Sequence, residues 1–282
     1  MYADKLKLLI KNALAEDIGN GDHSTLCCIS PTARGKAILK VKQEGILAGI
    51  NVAEQIFYQV QPSAVFTALK NDGDLMSNGE IAFEVKADVQ TILKAERLVL
   101  NAMQRMSGIA TLTKQYTSKL EGYHTRLLDT RKTTPNFRLL EKEAVRIGGA
   151  LNHRFGLYDM IMLKDNHIDY CGSIEKAITL AYDYVQRKQP GLKIEVETRS
   201  LKDVERVMAI GKVDRIMLDN FSPALIKEAL WIIDKKVETE ASGGINFDNL
   251  EVYAETGVDF ISSGAIIHQA VSLDLSLKAD IL

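Results

Sequence analysis

The sequence predicts an α/β chain in which a small α+β unit precedes a parallel β/α region, either a barrel or an open doubly wound sheet. Two observations carry this reading. From residue 120 onward short apolar runs alternate with helical segments, and Val196, Leu218, Glu240 and Ser262, in the last four runs, are each 22 residues apart. That is the length of one strand, one helix and two short loops. Before residue 120 the pattern is different, with alternating strand-like stretches broken by turn residues. A length of 282 residues suits one large or two modest domains with a real core.

Each element follows from its own residues. Over 1–17, Leu6, Leu9, Ile10, Ala13 and Leu14 recur at helical spacing among Lys5, Lys7 and Lys11, so this is an amphipathic helix and not a signal core. Between 30 and 86 the stretches 36–42 and 81–85 alternate as half-buried strands do, and Asn71-Asp72-Gly73-Asp74 reads as a turn. A long helix is expected over 91–120, with Ile92, Ala95, Val99, Ala102, Met103, Met106, Ile109 and Ala110 on its apolar face. The strand runs that follow are 126–128, 160–163, 193–196, 215–218, 237–241 and 259–262.

Composition excludes several classes. With 46% hydrophobic and 26% charged residues and a net charge of −2, the chain has neither a disordered composition nor a field that draws it to nucleic acid or anionic lipid. No stretch reaches the 18 or so uncharged apolar residues of a membrane helix, and the three cysteines form neither a metal spacing nor an even disulfide set. A cytoplasmic protein is the expectation. P-loop, HExxH, GxSxG and GxGxxG signatures are absent.

The chemistry gathers at the C-terminal ends of the runs, which share one rim in parallel β/α architectures. Arg131 and Lys132, with His153, Arg154 and Lys164, make a positive set suited to an anionic substrate. The alternative is a solvated basic patch, with Arg138, Lys142 and Arg146 on the outer face of a helix over 136–147. Glu197 and Asp219 end adjacent runs, so that their carboxylates suit a divalent cation such as magnesium or the hydroxyls of a sugar; otherwise they are strand-end caps or ion-pair partners. The turns Ser242-Gly243-Gly244 and Ser262-Ser263-Gly264 let backbone N–H groups approach a phosphate.

The run DTRKTTP at 129–135, with LLEKEAVRIGGALNHRFGLYDMIMLKDNHI over 139–168, closely resembles the quinolinate phosphoribosyltransferase family. ERLVLNAMQRMSGIAT at 96–111, IEVET at 194–198, IMLDNF at 216–221, EASGGI at 240–245 and GVDFISSGAIIH at 257–268 extend the resemblance in the same order. It implies an incomplete seven-stranded parallel α/β barrel over 101–269 and an N-terminal α/β sandwich over 1–100 that the tail 270–282 joins. It also implies phosphoribosyl transfer from phosphoribosyl pyrophosphate to quinolinate with decarboxylation, magnesium as cofactor, and a homodimer, assembled to a hexamer in some members, whose sites are completed across subunits.

By the same resemblance Arg97 reaches the partner's pocket, while Thr130, Arg131, Lys132, His153, Arg154 and Lys164 surround the two carboxylates and the diphosphate. Glu197 and Asp219 attend the ribose and the metal. Ser242, Gly243, Gly244, Ser263, Gly264 and His268 lie near the 5-phosphate, and Lys132, Lys164, Glu197 and Asp219 are the catalytic set. One departure stands out: Asn136 occupies the position after Pro135 where the family pattern leads one to expect glycine. The rival readings are a Schiff-base lyase using Lys132 or Lys164, an RNA-binding patch over 126–154, and a relative on the same scaffold that acts on nicotinate or another acid.

Overall fold

The computed structural model describes residues 2–279. In chain order its elements are α1 (Tyr2–Ile18), α2 (His23–Cys28), β1 (Arg34–Val41), β2 (Gly45–Ile46), α3 (Ile50–Val60), β3 (Val65–Ala68), β4 (Leu75–Met76), β5 (Ile81–Asp88) and α4 (Val89–Lys119). There follow β6 (Arg126–Leu128), α5 (Arg138–Ile147), β7 (Ile161–Leu163), α6 (Asp165–Cys171), α7 (Ile174–Lys188), β8 (Ile194–Thr198), α8 (Leu201–Ile210), β9 (Arg215–Asp219) and α9 (Pro223–Ile233). The last are β10 (Glu238–Ser242), α10 (Leu250–Ala254), β11 (Phe260–Ser262), α11 (Ala265–His268) and β12 (Leu275–Ala279). No helix among the described residues is long and apolar enough to cross a membrane.

The chain divides into two compact units. One holds the chain up to Lys114, the segment Thr133–Gly149 and the chain from Ile266 on; the other holds Gln115–Lys132 and Ala150–Ala265. The boundary expected at 100/101 therefore falls inside the continuous helix α4, and α5, expected in the barrel, belongs to the first unit. Of the expected tail, 275–279 form β12, whereas 280–282, like residue 1, lie outside the described residues.

The first unit is built on an antiparallel sheet of order β12-β1-β5-β3. Ala37, Leu39 and Val41 of β1 are buried at period two, the signature of a strand with one covered face. Beneath it Phe66 and Phe83 pack with ring centroids 4.5 Å apart and Phe57 of α3 meets Phe83 at 6.1 Å, within the range of favourable aromatic pairs. The expected turn at 71–74 does more than reverse the chain. Asp72 Oδ1 accepts the Gly49 and Ile50 N–H groups at 2.7 and 2.9 Å, satisfying donors that the start of α3 leaves open. Burial raises the Asp72 pKa above the ordinary carboxylate value.

Helix α5 corrects the reading of an outer basic face. Arg146 is exposed and pairs with Glu143 in the same helix, yet Glu141 and Lys142 are 0% and 1% exposed. Glu141 Oε1 accepts from Arg105 Nε at 3.1 Å and Nη2 at 2.9 Å, and its other oxygen takes the Thr134 N–H at 2.8 Å. Ahead of the helix Asn136 has φ 62°, a left-handed conformation. Asparagine tolerates this better than other side chains, so it can take a conformation that glycine adopts freely.

The second unit is a six-stranded parallel sheet of order β6-β11-β10-β9-β8-β7, with one further parallel bridge between Leu128 and Leu151. Seven strand positions thus follow one another, and among the described residues β7 pairs only with β8, so the ring is open between Leu151 and β7. Every residue of β8 is buried, as expected of a parallel strand covered on both faces. The pairings Glu197 with Met217 and Asp219 with Ser242 place Glu197, Asp219 and Ser242 on one face, because alternate residues of a strand share a face. The 22-residue spacing has delivered these strand ends to one rim.

Candidate active site

The ends of β6 and β7 and the segment beyond the Leu151 bridge position the cations. Asp129, wholly buried just beyond β6, accepts the His153 N–H at 2.8 Å and the Asn152 amide at 2.7 Å, and so ties the 152–154 segment to the first strand. Thr130 Oγ1 takes the Lys132 N–H at 3.0 Å and shapes the turn that carries Arg131 and Lys132. Arg154 Nη1 donates to the Met160 carbonyl at 3.3 Å. Burial, followed by the positive charge of Arg131, holds the Arg154 guanidinium below its usual range. Two neighbouring guanidiniums that repel each other form a place where an anion is stabilised.

Next to this set stands the acidic pair. Lys164 Nζ donates to Glu197 Oε2 at 2.9 Å. Asp219 is half-buried, and burial and then the charge of Glu197 raise its pKa, opposed by Lys164 and the Asn220 amide. A hard divalent cation between two carboxylates would relieve that repulsion, so the oxygen donors present fit magnesium. The two glycine turns lie at the ends of β10 and β11. Gly243 has φ 97° and Gly244 φ 64°; Ser263 Oγ donates to the Ile245 carbonyl at 2.8 Å and Ser263 N to the Leu128 carbonyl at 3.1 Å, joining both turns to the rim.

His153 is not one of the open cations. Its side chain is 5% exposed, with Nε2 3.1 Å from Glu195 Oε2 and 3.3 Å from Glu240 Oε2. Burial lowers its pKa, but the two carboxylates outweigh burial and push it up to about 9. The Arg154 N–H donates to Nδ1 at 2.6 Å, and this contact needs the lone pair that a second proton would occupy. The carboxylates and the amide therefore pull the ring's proton count in opposite directions. Arg215 Nη1 meets Glu240 Oε2 at 3.1 Å and completes a buried charge cluster that the sequence reading passed over. The signal was available: Glu195, Arg215 and Glu240 are charges at alternating strand positions that share the face of Glu197 and Asp219.

Arg97 and His268 belong to the first unit. Arg97 is exposed on α4, and His268 is exposed at the end of α11.

The family model of the quinolinate phosphoribosyl transferase C-terminal domain matches residues 109–278, and that of the N-terminal domain matches 22–107. The chain belongs to the quinolinate phosphoribosyltransferase family. It is similar to the nicotinate-nucleotide pyrophosphorylase (carboxylating) of Oryza sativa, at 41% identity over 98% of this chain and 78% of that one. It is 42% identical to a probable nicotinate-nucleotide pyrophosphorylase of Synechocystis, over 94% and 89% of the two chains. Among solved structures, the nicotinate-nucleotide pyrophosphorylase of Francisella tularensis superposes with a TM-score of 0.90 at 39% identity, covering 98% of this chain and 96% of that one. NadC of Streptococcus pyogenes does so with 0.88 at 40% identity, over 95% and 94%.

Proposed function

We propose that the chain transfers the phosphoribosyl group of phosphoribosyl pyrophosphate to quinolinate with loss of carbon dioxide, giving nicotinic acid mononucleotide and pyrophosphate for NAD synthesis. The observation that carries this is the convergence on one rim of Arg131, Lys132, Arg154 and Lys164, the carboxylates of Glu197 and Asp219, and two glycine turns. Family membership and the names of the relatives support the same reading. The cations bind the pyridine dicarboxylate and orient its ring nitrogen. Glu197 and Asp219 hold the ribose hydroxyls, and the turns at Ser242–Gly244 and Ser263–Gly264 offer backbone N–H groups to the 5-phosphate.

As the bond from the anomeric carbon to pyrophosphate breaks, Lys132 and Lys164 stabilise the charge gathering on the leaving oxygens, and the ring nitrogen supplies the electron pair of the new C–N bond. The nitrogen is then cationic, which stabilises the carbanion left when the adjacent carboxylate departs. Glu197 and Asp219 would hold magnesium, which when bound would supply charge neutralisation at the diphosphate. Positioning and electrostatics dominate, and the one proton the reaction takes up passes from water to the carbanion carbon after carbon dioxide has left, giving the C–H of nicotinic acid mononucleotide. Lys164 is engaged by Glu197, which suits a fixed cation rather than the free amine of a Schiff-base lyase.

A homodimer in which Arg97 completes the partner's pocket, and a cytoplasmic setting, belong to the same proposal. The deciding assay supplies phosphoribosyl pyrophosphate and magnesium with either quinolinate or nicotinate, and follows carbon dioxide and nicotinic acid mononucleotide. Product from quinolinate alone is expected. Product from nicotinate, or from neither acid, overturns the substrate assignment.

A further inference from the structure

Asn220 follows Asp219 and is one of four non-glycine residues with positive φ among the described residues, at 56°. Such a conformation is rare in side-chain-bearing residues and persists where the surroundings impose it. Here three contacts impose it. The Asn220 backbone N–H donates to the Ser242 carbonyl at 2.8 Å, so the residue is fastened to the end of the neighbouring strand β10. Its side-chain Nδ2 donates to Asp219 Oδ2 at 2.6 Å. Its Oδ1 occupies space beside Gly243, where an added Cβ would come 2.2 Å from Oδ1 and 2.9 Å from the Asn220 nitrogen. One side chain therefore touches the acidic end of β9 and the first glycine turn together.

Gly243 is explained by the same arrangement: its φ of 97° and the lack of room for a Cβ both demand glycine. A left-handed residue with a short amide is the piece that fits the gap, since it tolerates the backbone, supplies a donor to the carboxylate and adds no charge of its own.

We propose that Asn220 is a positioning residue that sets the Asp219 carboxylate and the Gly243 turn relative to each other, and so registers the ribose end of the phosphoribosyl donor against its phosphate end. This rests on reading the rim as a phosphoribosyl site. The side chain acts through Asp219 and Gly243 and needs no contact with the reacting atoms. Its effect should therefore fall on the donor and spare the pyridine acid.

Two variants separate the backbone from the side chain. Asn220→Gly keeps the left-handed backbone and removes the amide. Asn220→Asp keeps shape and backbone tolerance but sets a carboxylate against Asp219. Calorimetry with magnesium and phosphoribosyl pyrophosphate, and the KM for each substrate, are measured on the whole chain. The expected result is binding of phosphoribosyl pyrophosphate weakened about tenfold or more and a rise of similar size in its KM, larger for Asn220→Asp, at unchanged KM for the acid. Unchanged donor binding in both variants overturns the proposal, as does an equal rise in both KM values with a lowered Tm, which would mark a purely structural role. If the wild type binds phosphoribosyl pyrophosphate with magnesium and the variants lose it, but no pyridine acid is turned over, the positioning role stands and the acceptor assignment fails.

Discussion

Arg154 stands where the electrostatics of the rim are most demanding, half-buried beside Arg131 and bonded through its backbone to His153. A lysine there keeps the charge but gives up the planar fork that matches a carboxylate. Arg154→Lys should cost at least about 100-fold in kcat/KM for the acid, roughly 2.7 kcal/mol, with donor binding retained; steady-state kinetics with each substrate varied would check it. The strand-end positions of Arg131, Lys132, Lys164, Glu197 and Asp219 could be read from the sequence because each stands at the polar end of an apolar run. His153 could not be placed by the same logic. Adjacency to Arg154 put it with the open cations, whereas the 152–154 segment turns its ring inward to carboxylates that lie 42 and 87 residues further along the chain.

At the level of elements, the sheet was legible and one helix was misplaced. Each of the six predicted runs became a strand because covered parallel strands have an unbroken apolar signal that period and length both support. Helix α5 was read correctly as a helix, and the alternative of an outer basic face holds for Arg146 but not for Lys142, which is buried, since hydropathy treats a charged residue as solvent-seeking and has no means of knowing that Arg105 waits for the neighbouring Glu141. The consequence is measurable. Removing one partner of a buried pair strands the other charge, at about 3–5 kcal/mol, so Arg105→Ala should lower stability by that order in chemical denaturation. An effect within 1 kcal/mol would mean that Thr134 alone suffices for Glu141.

For the molecule as a whole, the buried cluster of His153, Glu195, Arg215 and Glu240 couples folding to pH. His153 is raised from 6.5 to about 9 in the folded chain, so the folded state binds its proton more tightly. That contribution is fully present below about pH 6.5 and is lost as pH rises through about 9. Burial and the charge of Glu240 also raise Glu195, a shift of the same sign that is spent at lower pH. Unfolding free energy should therefore fall between pH 6.5 and 9, and His153→Gln should flatten the slope there. A wild-type curve that is already flat would show that the Arg154 amide keeps Nδ1 unprotonated.

The open ring has a further consequence, for solubility. A sheet that does not close presents two edges, and unpaired edges invite another chain to add a strand. Here the edges are β7, of three residues, and the single bridge at Leu151, both too short to template a partner. Asp159 also ties up the backbone between them, accepting the Phe155 and Gly156 N–H groups at 2.6 and 2.8 Å. The fold can therefore leave its seam open beside Arg154 and Lys164 without becoming a seed for aggregation.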